Sequence, residues 1–167
     1  REPELHPEAD PPPLANADDQ MHFDLEASFL VCDNSSCDDE TSSEIIAASA
    51  DGMTLVYSDS PGETVGLIDI TDPASPAPLG AIDISGFGEP TSVAVFTGKG
   101  PDDNAVEYIL VGVNTSPGFD ADFDADHSGQ LHVYNLAACK TDPTCAAVTV
   151  LELGGQPDSV AVSPDGA

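Results

Sequence analysis

Positively charged residues are almost absent from this 167-residue chain, which has 3 Lys and Arg residues against 31 Asp and Glu residues and a formal net charge of -28. The three cations are Arg1, Lys99 and Lys140. A nucleic-acid partner is excluded, because no basic patch can be assembled to neutralise phosphates. Anionic membrane surfaces are excluded for the same reason. Repulsion among the carboxylates weakens the compact state unless salt or bound cations relieve it, which predicts a halophilic protein.

Long apolar runs and the common catalytic motifs are missing too. No stretch approaches the roughly 18 apolar residues of a membrane-spanning helix, so we expect no membrane span. The sequence has no Gly-x-Ser-x-Gly elbow, Walker loop or dinucleotide fingerprint, so serine hydrolases and nucleotide-binding enzymes have no support. Residues 1–22 are acidic and rich in proline, without the apolar periodicity needed to bury a surface. We expect a disordered linker there.

Cysteines are few and fall into two close pairs, Cys32 with Cys37 and Cys139 with Cys145. Four cysteines allow three disulfide connectivities, and proximity favours the two local bridges. A four-cysteine zinc site and free thiols are the competing interpretations, although the pairs lack the two-residue spacing of zinc knuckles. Disulfides form in oxidising compartments. The chain is therefore predicted to be secreted, periplasmic or on the cell surface.

The chain does contain a repeated motif, Gly-x-Pro-x-Ser-Val-Ala-Val, at residues 88–95 and again at 155–162. Repetition at a period of tens of residues, with short strand-like stretches between the copies, indicates an array of similar units. Turn formers delimit predicted strands at residues 45–48, 54–57, 65–70, 79–84, 92–95, 108–113, 131–134, 148–153 and 159–162. We predict an all-β fold, specifically a β-propeller fragment. It would contain about two four-stranded antiparallel blades (44–87 and 90–153) plus the first strand of a third (157–167).

A propeller needs about four to eight blades to close. The expected partners of residues 23–167 are therefore the remaining propeller blades of a longer parent chain, of which this would be the N-terminal part. Residues 23–31 carry five large apolar side chains and are predicted to begin the folded part as an edge segment. In many closed propellers such an N-terminal strand completes the last blade.

The antiparallel order of the strands sorts the loops between two ends of the array. The turn at 59–63, the long loop at 115–129 and the connections carrying Glu89 and Gln156 share one end. A long insertion in a tight repeat is where function concentrates, so this end is the candidate site. Its candidate residues are Asp59, Glu63 and Glu89.

The long loop carries carboxylates at alternate positions, and its candidate metal ligands are Asp120, Asp122, Asp124, Asp126 and Ser128. Oxygens spaced in this way can turn toward one hard cation, and Ca²⁺ takes about six to eight of them. The register from Asp124 matches an EF-hand loop as far as Gly129 but lacks the final bidentate Glu. The alternative is a solvated acidic loop in a chain that is acidic throughout.

Two further runs carry a family resemblance. Residues 48–63 read Ala-Ser-Ala-Asp-Gly-Met-Thr-Leu-Val-Tyr-Ser-Asp-Ser-Pro-Gly-Glu, and residues 66–73 read Gly-Leu-Ile-Asp-Ile-Thr-Asp-Pro. Together with the two motif copies, these runs resemble the N-terminal blades of bacterial phytase-like propellers, the family described as "esterase-like activity of phytase". The resemblance implies an exported propeller that is a calcium-assisted phosphoester hydrolase. The Asp-rich insertion is an addition relative to the shorter loop of that family.

Two functions from different classes follow. In the first, Ca²⁺ held by the carboxylates of the site binds a substrate phosphate and activates a water molecule. In the second, the propeller is a non-catalytic extracellular recognition or scaffold module whose acidic face binds calcium or a basic partner. The scarcity of Lys and Arg argues against a polyanionic phosphoester substrate, unless metals or other blades supply the positive charge.

Overall fold

The computed structural model of the chain describes residues 24–117 and 127–163, and its architecture is all-β with little helix. Eight strands form two four-stranded antiparallel sheets, and each sheet is ordered as its strands follow in the chain. The first sheet contains β1 (Ser43–Ala48), β2 (Thr54–Asp59), β3 (Thr64–Asp69) and β4 (Ala77–Asp83). The second contains β5 (Glu89–Lys99), β6 (Ala105–Asn114), β7 (Gly129–Asn135) and β8 (Thr149–Leu153).

The eight strands expected in the first two units are confirmed, and β5 and β6 are longer than predicted. The ninth expected strand, at 159–162, is not formed in the described part of the chain, because no neighbouring strand pairs with it. The Val160 N–H instead donates to the Ser92 hydroxyl at 3.0 Å. The expected edge segment also differs, because residues 24–30 form no strand and Leu25 is 87% exposed.

The two sheets pack face to face. Strand alternation places the side chains of Val56, Val65, Leu67 and Ile82 on one side of the first sheet, which we call its inner face. The inner face of the second sheet carries Val93, Ile109, Val111 and Val113. All eight side chains are at most 3% exposed and belong to one core. Full burial of each such side chain contributes about 1.5–3 kcal/mol, so this contact is the main stabilising interaction between the sheets.

Connections emerge at two ends of the sheets because consecutive strands alternate in direction. The upper end carries the β2–β3 turn, the β4–β5 connection and the β6–β7 loop. The lower end carries the β1–β2, β3–β4 and β5–β6 turns and the β7–β8 connection. At each end, a hydrogen bond joins the first sheet to the second. The Ser60 hydroxyl lies 2.7 Å from the Pro90 carbonyl oxygen at the upper end, and the Ala50 N–H donates to Glu107 Oε1 at 2.6 Å at the lower end.

The outer face of the first sheet is covered by an N-terminal loop that the Cys32–Cys37 disulfide closes. Its 3₁₀ helix, Val31–Asn34, places the Asn34 amide at an irregularity between β3 and β4. There Asn34 Nδ2 donates to the Leu67 carbonyl, and Asn34 Oδ1 accepts from the Gly80 N–H, both at 2.9 Å. Asn34 Nδ2 also donates to the Tyr57 hydroxyl at 2.9 Å. The side chain therefore satisfies two backbone groups that the ladder leaves open.

The second disulfide joins Cys139 and Cys145, so both predicted local pairings are confirmed and the zinc and free-thiol interpretations are wrong. Cys139 lies on a short helix, α1 (Leu136–Thr141), which the sequence analysis did not predict. Asn135 caps this helix by accepting from the Ala138 N–H at 2.9 Å. In the described ranges, no helix is long and apolar enough to cross a membrane.

Candidate functional site

The upper end brings together three of the residues that the sequence nominated. Asp59 ends β2, Glu63 lies in the β2–β3 turn with φ of 48°, and Glu89 begins β5. The antiparallel order of the strands therefore places all three at one end, as predicted. Their environments differ, because Asp59 is only 2% exposed whereas Glu89 is exposed.

Asp59 organises the turn that follows it. Its Oδ1 accepts hydrogen bonds from the Ser42 N–H at 2.8 Å and the Gly62 N–H at 3.1 Å. A Cβ at position 62 would lie 2.7 Å from Asp59 Oδ2, so glycine is needed there. Hydrogen bonds from backbone N–H groups stabilise a buried carboxylate, which makes Asp59 a structural residue of the upper end. An open groove beside this turn is lined by Ser35, Asp39, Glu40, Thr41, Pro61, Gly62 and Thr64.

Ser60 connects the two sheets at the upper end. Its Oγ lies 2.7 Å from the Pro90 carbonyl oxygen and 2.8 Å from Glu44 Oε2. Both neighbours are acceptors and the hydroxyl has one proton, so Ser60 donates to one of them at a time. The Glu44 carboxylate is thereby kept at the junction of the sheets, on the same end as Glu63 and Glu89.

The second copy of the repeated motif makes a related contact. The Thr91 hydroxyl donates to the Pro157 carbonyl oxygen, and Pro157 and Pro90 hold the same place in the two motif copies. Pro157 and Val160 also lie over Gly112, where an added Cβ would be 3.3 Å from each side chain. In both copies the motif proline therefore presents its carbonyl to a hydroxyl of the preceding unit.

The Asp-rich insertion leaves the upper end between β6 and β7. Asp120, Asp122, Asp124 and Asp126 lie outside the described residues. The base of the loop is described, and there the Thr115 hydroxyl donates to Ser128 Oγ at 2.8 Å while the Ser116 hydroxyl donates to the Ser128 carbonyl at 3.0 Å. Ser128 thus joins the two ends of the insertion by hydrogen bonds, next to β6 and β7.

A row of hydrogen-bonded polar side chains on β7 was not predicted from the sequence. His132 is fully buried; its Nε2 lies 2.8 Å from Gln130 Oε1 and its Nδ1 lies 3.2 Å from the Tyr134 hydroxyl. Gln130 Oε1 can only accept, so Nε2 carries the proton and Tyr134 donates to Nδ1. Gln130 Nε2 then donates to Glu152 Oε1 at 2.8 Å, and the Phe87 ring contacts the imidazole edge to face. Burial lowers the pKa of His132 and so favours the neutral imidazole, although the nearby Glu152 has a smaller opposing effect.

The alternating spacing of Gln130, His132 and Tyr134 is the signal that could have revealed these side-chain hydrogen bonds. Side chains two residues apart share one face of a strand. A histidine between a glutamine and a tyrosine on a core-facing strand therefore has hydrogen-bonding partners on both sides.

Exposed aspartates in the turns are tied to nearby hydroxyl and N–H groups. Asp51 Oδ1 accepts from the Ser49 hydroxyl at 2.6 Å and from the Met53 N–H at 2.9 Å. The hydroxyl, followed by the N–H, lowers the pKa of Asp51. At Asp69, Asp83 and Asp142 the hydroxyl and the N–H both come from the residue two positions ahead (Thr71, Ser85 and Thr144), and they lower the pKa of each carboxyl. These carboxylates stay ionised and shape the turns.

Positive charge in the described part of the chain lies at the lower end. Lys99, at the end of β5, forms an ion pair with Asp103 at 3.2 Å. Lys140, in α1, lies near enough to Asp51 and Asp69 to lower the pKa of both carboxyls, although their hydrogen bonds have the larger effect. Among the residues that the structure describes, the upper end has no Lys or Arg.

Comparison with known proteins found no family model, no curated protein and no solved structure that matches this chain.

Proposed function

We propose that this chain is part of an exported β-propeller in which the two sheets are consecutive blades. Each sheet has four antiparallel strands in sequence order, and the sheets pack face to face as adjacent blades do. The carbonyls of Pro90 and Pro157 accept related hydrogen bonds from the preceding unit. Two disulfides are consistent with an oxidising, extracellular location.

The role that the geometry supports best is that of a recognition or scaffold module whose upper end binds a cationic partner. The observation that carries this proposal is the uneven distribution of charge. Lys99 and Lys140 lie at the lower end, whereas the described upper end has carboxylates without Lys or Arg. A surface of one sign attracts ligands of the opposite sign and raises their rate of association.

The hydrogen bonding of the upper end favours binding over catalysis. Asp59 Oδ1 accepts from two backbone N–H groups, and Glu44 contacts the Ser60 hydroxyl. These carboxylates hold the sheets in shape, which leaves Glu63 and Glu89 to meet a ligand. A catalytic pair of carboxylates must both reach the same substrate. Carboxylates that are already held in hydrogen bonds within the protein do not offer such a pair.

The test is calorimetric titration with a ten-residue lysine peptide. Glu63→Gln with Glu89→Gln removes two charges from the upper end, and Asp72→Asn with Asp102→Asn removes two from the lower end as a matched control. We expect binding that weakens with salt and is reduced several-fold only in the upper-end variant. Equal losses in both variants would show attraction to net charge alone and contradict the proposal.

A calcium-assisted phosphoester hydrolase is the second candidate, supported by the position of the Asp-rich insertion. Its base, at Thr115 and Ser128, lies at the same end as Glu63 and Glu89. Calorimetric titration with Ca²⁺, comparing the chain with a variant carrying Asp122→Asn, Asp124→Asn and Asp126→Asn, tests the metal site. Binding lost in the variant, together with calcium-dependent phosphate release from a generic ester, would favour the hydrolase. Without binding by either protein the hydrolase has no metal site here.

A further inference from the structure

We infer that the outer face of the second sheet is the docking face for a third four-stranded sheet, which continues from the chain segment at 157–163. The outer face is the side opposite the core, and its most informative residues are Ala94, Leu110, Leu131, Val133, Leu151 and Leu153. This inference rests on the propeller architecture proposed above. It adds which surface receives the next unit and what chemistry that unit must present.

The outer face is largely apolar, and its one charged residue lies at its upper edge. From Ser92 to Leu153 the registers of β5 to β8 place sixteen side-chain positions on it, and none of them is Asp, Glu, Lys or Arg. The register adds one charged residue, Glu89, which pairs with Asn114 at the upper edge of this face. The opposite, inner face of the same strands does carry charged residues, including Lys99, Glu107 and Glu152. In a chain with a net charge of -28, a surface across four strands with a single charged residue at its edge is typical of an interface.

The same chain shows what covers the equivalent surface of the first sheet. The repeated motif matches Ala94 to Ala161, and the run from Ala161 matches the run from Ala47, so Ala94 corresponds to Ala47. Ala47 pairs with Val56, which pairs with Leu67. Ala94 pairs with Leu110, which pairs with Val133. The outer face of the second sheet therefore corresponds to the inner face of the first sheet.

Coverage of these two corresponding surfaces differs. Val65 and Ile82 in the first sheet are 0% and 2% exposed because the second sheet, together with helix α1 and the Cys139–Cys145 loop, covers them. Their counterparts in the second sheet are Leu131 and Leu151, which also pair with each other. Leu131 is half-buried and Leu151 is 50% exposed. The second sheet thus lacks the cover that it provides to the first.

The segment from which the third sheet would continue already contacts the outer face of the second sheet. Pro157 and Val160 lie over Gly112 on the outer face, and the Val160 N–H donates to Ser92 Oγ. Val160 holds the motif position of Val93, which lies in the core between the sheets. The segment thus approaches the second sheet as β5 approaches the first. The occupant must therefore present an apolar face like that of β5 and β6.

The outer face of the first sheet is covered over β2 and β3. The outer face of the first sheet carries Tyr57 and Ile68, which are 1% and 6% exposed beneath the disulfide loop. Asn34 fixes that loop to β3 and β4. The cover does not reach β1, where Ile46, which pairs with Tyr57 on the same face, is 56% exposed.

The experiment provides the third sheet as a second copy of the second sheet. A longer chain is made in which Gln156 is followed by a second copy of residues 90–167, so that a second copy of β5 to β8 follows the motif in its natural register. Leu151→Glu in the first copy then places a charge on the proposed docking face. Val150→Glu is the matched control, because Val150 is 39% exposed on the same strand and points to the other side.

We expect the extended chain to be monomeric and to melt at a higher temperature than the 167-residue chain. Leu151→Glu should lower the melting temperature by roughly 5 °C or more in the extended chain and by less than about 2 °C in the shorter one. Val150→Glu should shift both equally. Equal effects of Leu151→Glu in the two chains, or an added unit without hydrogen-exchange protection, would overturn the inference. So would a dimer of the shorter chain that Leu151→Glu dissociates, because the occupant would then be a second copy. Loss of lysine-peptide binding at the upper end would contradict the recognition role without affecting this result.

Discussion

Replacing Asn34 by alanine tests how the N-terminal loop is held on the first sheet. The substitution removes the hydrogen bonds to the Leu67 carbonyl, the Gly80 N–H and the Tyr57 hydroxyl. A hydrogen bond contributes about 0.5–1.5 kcal/mol net, and a backbone group left unpaired in a buried position costs about 1–3 kcal/mol. Because the site is partly buried, we expect the free energy of unfolding to fall by about 3 kcal/mol.

Urea denaturation measures this change. With a slope of about 2 kcal/mol per molar urea, the midpoint should fall by about 1–2 M. Asn104→Ala is the matched control, since Asn104 is exposed in the β5–β6 turn and its side chain makes no hydrogen bond within the described residues. Asn34→Asp should also destabilise, because it retains the acceptor for Gly80 but places a carboxylate against the Leu67 carbonyl. If the midpoint of Asn34→Ala lies within about 0.3 M of that of the parent, Asn34 does not hold the N-terminal loop on the first sheet.

Three further predictions concern the core and the charge. Gly66→Ala should cost about 1–3 kcal/mol, because the new Cβ would overlap the Tyr57 ring, whereas Gly86→Ala should be nearly neutral in the same urea assay. His132 has a pKa below its usual 6.5, so the folded state binds fewer protons than the unfolded state; stability should fall as pH drops below about 6.5, and His132→Gln should flatten that dependence. A pH profile that is the same in both proteins would contradict the assignment. The melting temperature should rise with salt, because the net charge of -28 is screened, and a curve insensitive to salt would contradict self-repulsion.

The strands were predictable from the sequence because local signals and tertiary structure agree. Short strand-like runs bounded by turn formers such as Gly, Pro and Asp predict the eight strands, and the motif copies mark where each repeated unit begins. Helix α1 was missed because its six residues are too few for a helical period, and its end is set by the Cys139–Cys145 disulfide and the Asn135 cap. The strand expected at 159–162 has the composition of a strand, but a strand also needs a partner.

The candidate site was predictable only in position. Strand alternation places Asp59, Glu63 and Glu89 at one end, but it does not show that Asp59 is buried and bound to the Ser42 and Gly62 N–H groups. Those contacts depend on how the N-terminal loop meets the β2–β3 turn, which is a long-range feature. The role of Asn34 depends on an irregularity between β3 and β4 that no local pattern reveals.

Whether the upper end is the binding surface can be tested by a nuclear magnetic resonance titration of the isotopically labelled chain with the ten-residue lysine peptide. The proposed recognition role predicts that amide shifts concentrate at the upper end, in residues 59–64, 84–90 and 154–158, and disappear at high salt. Shifts concentrated in the lower-end turns at 49–53, 70–76 and 100–104, or spread evenly over both ends, would contradict the claim that the upper end is the binding surface.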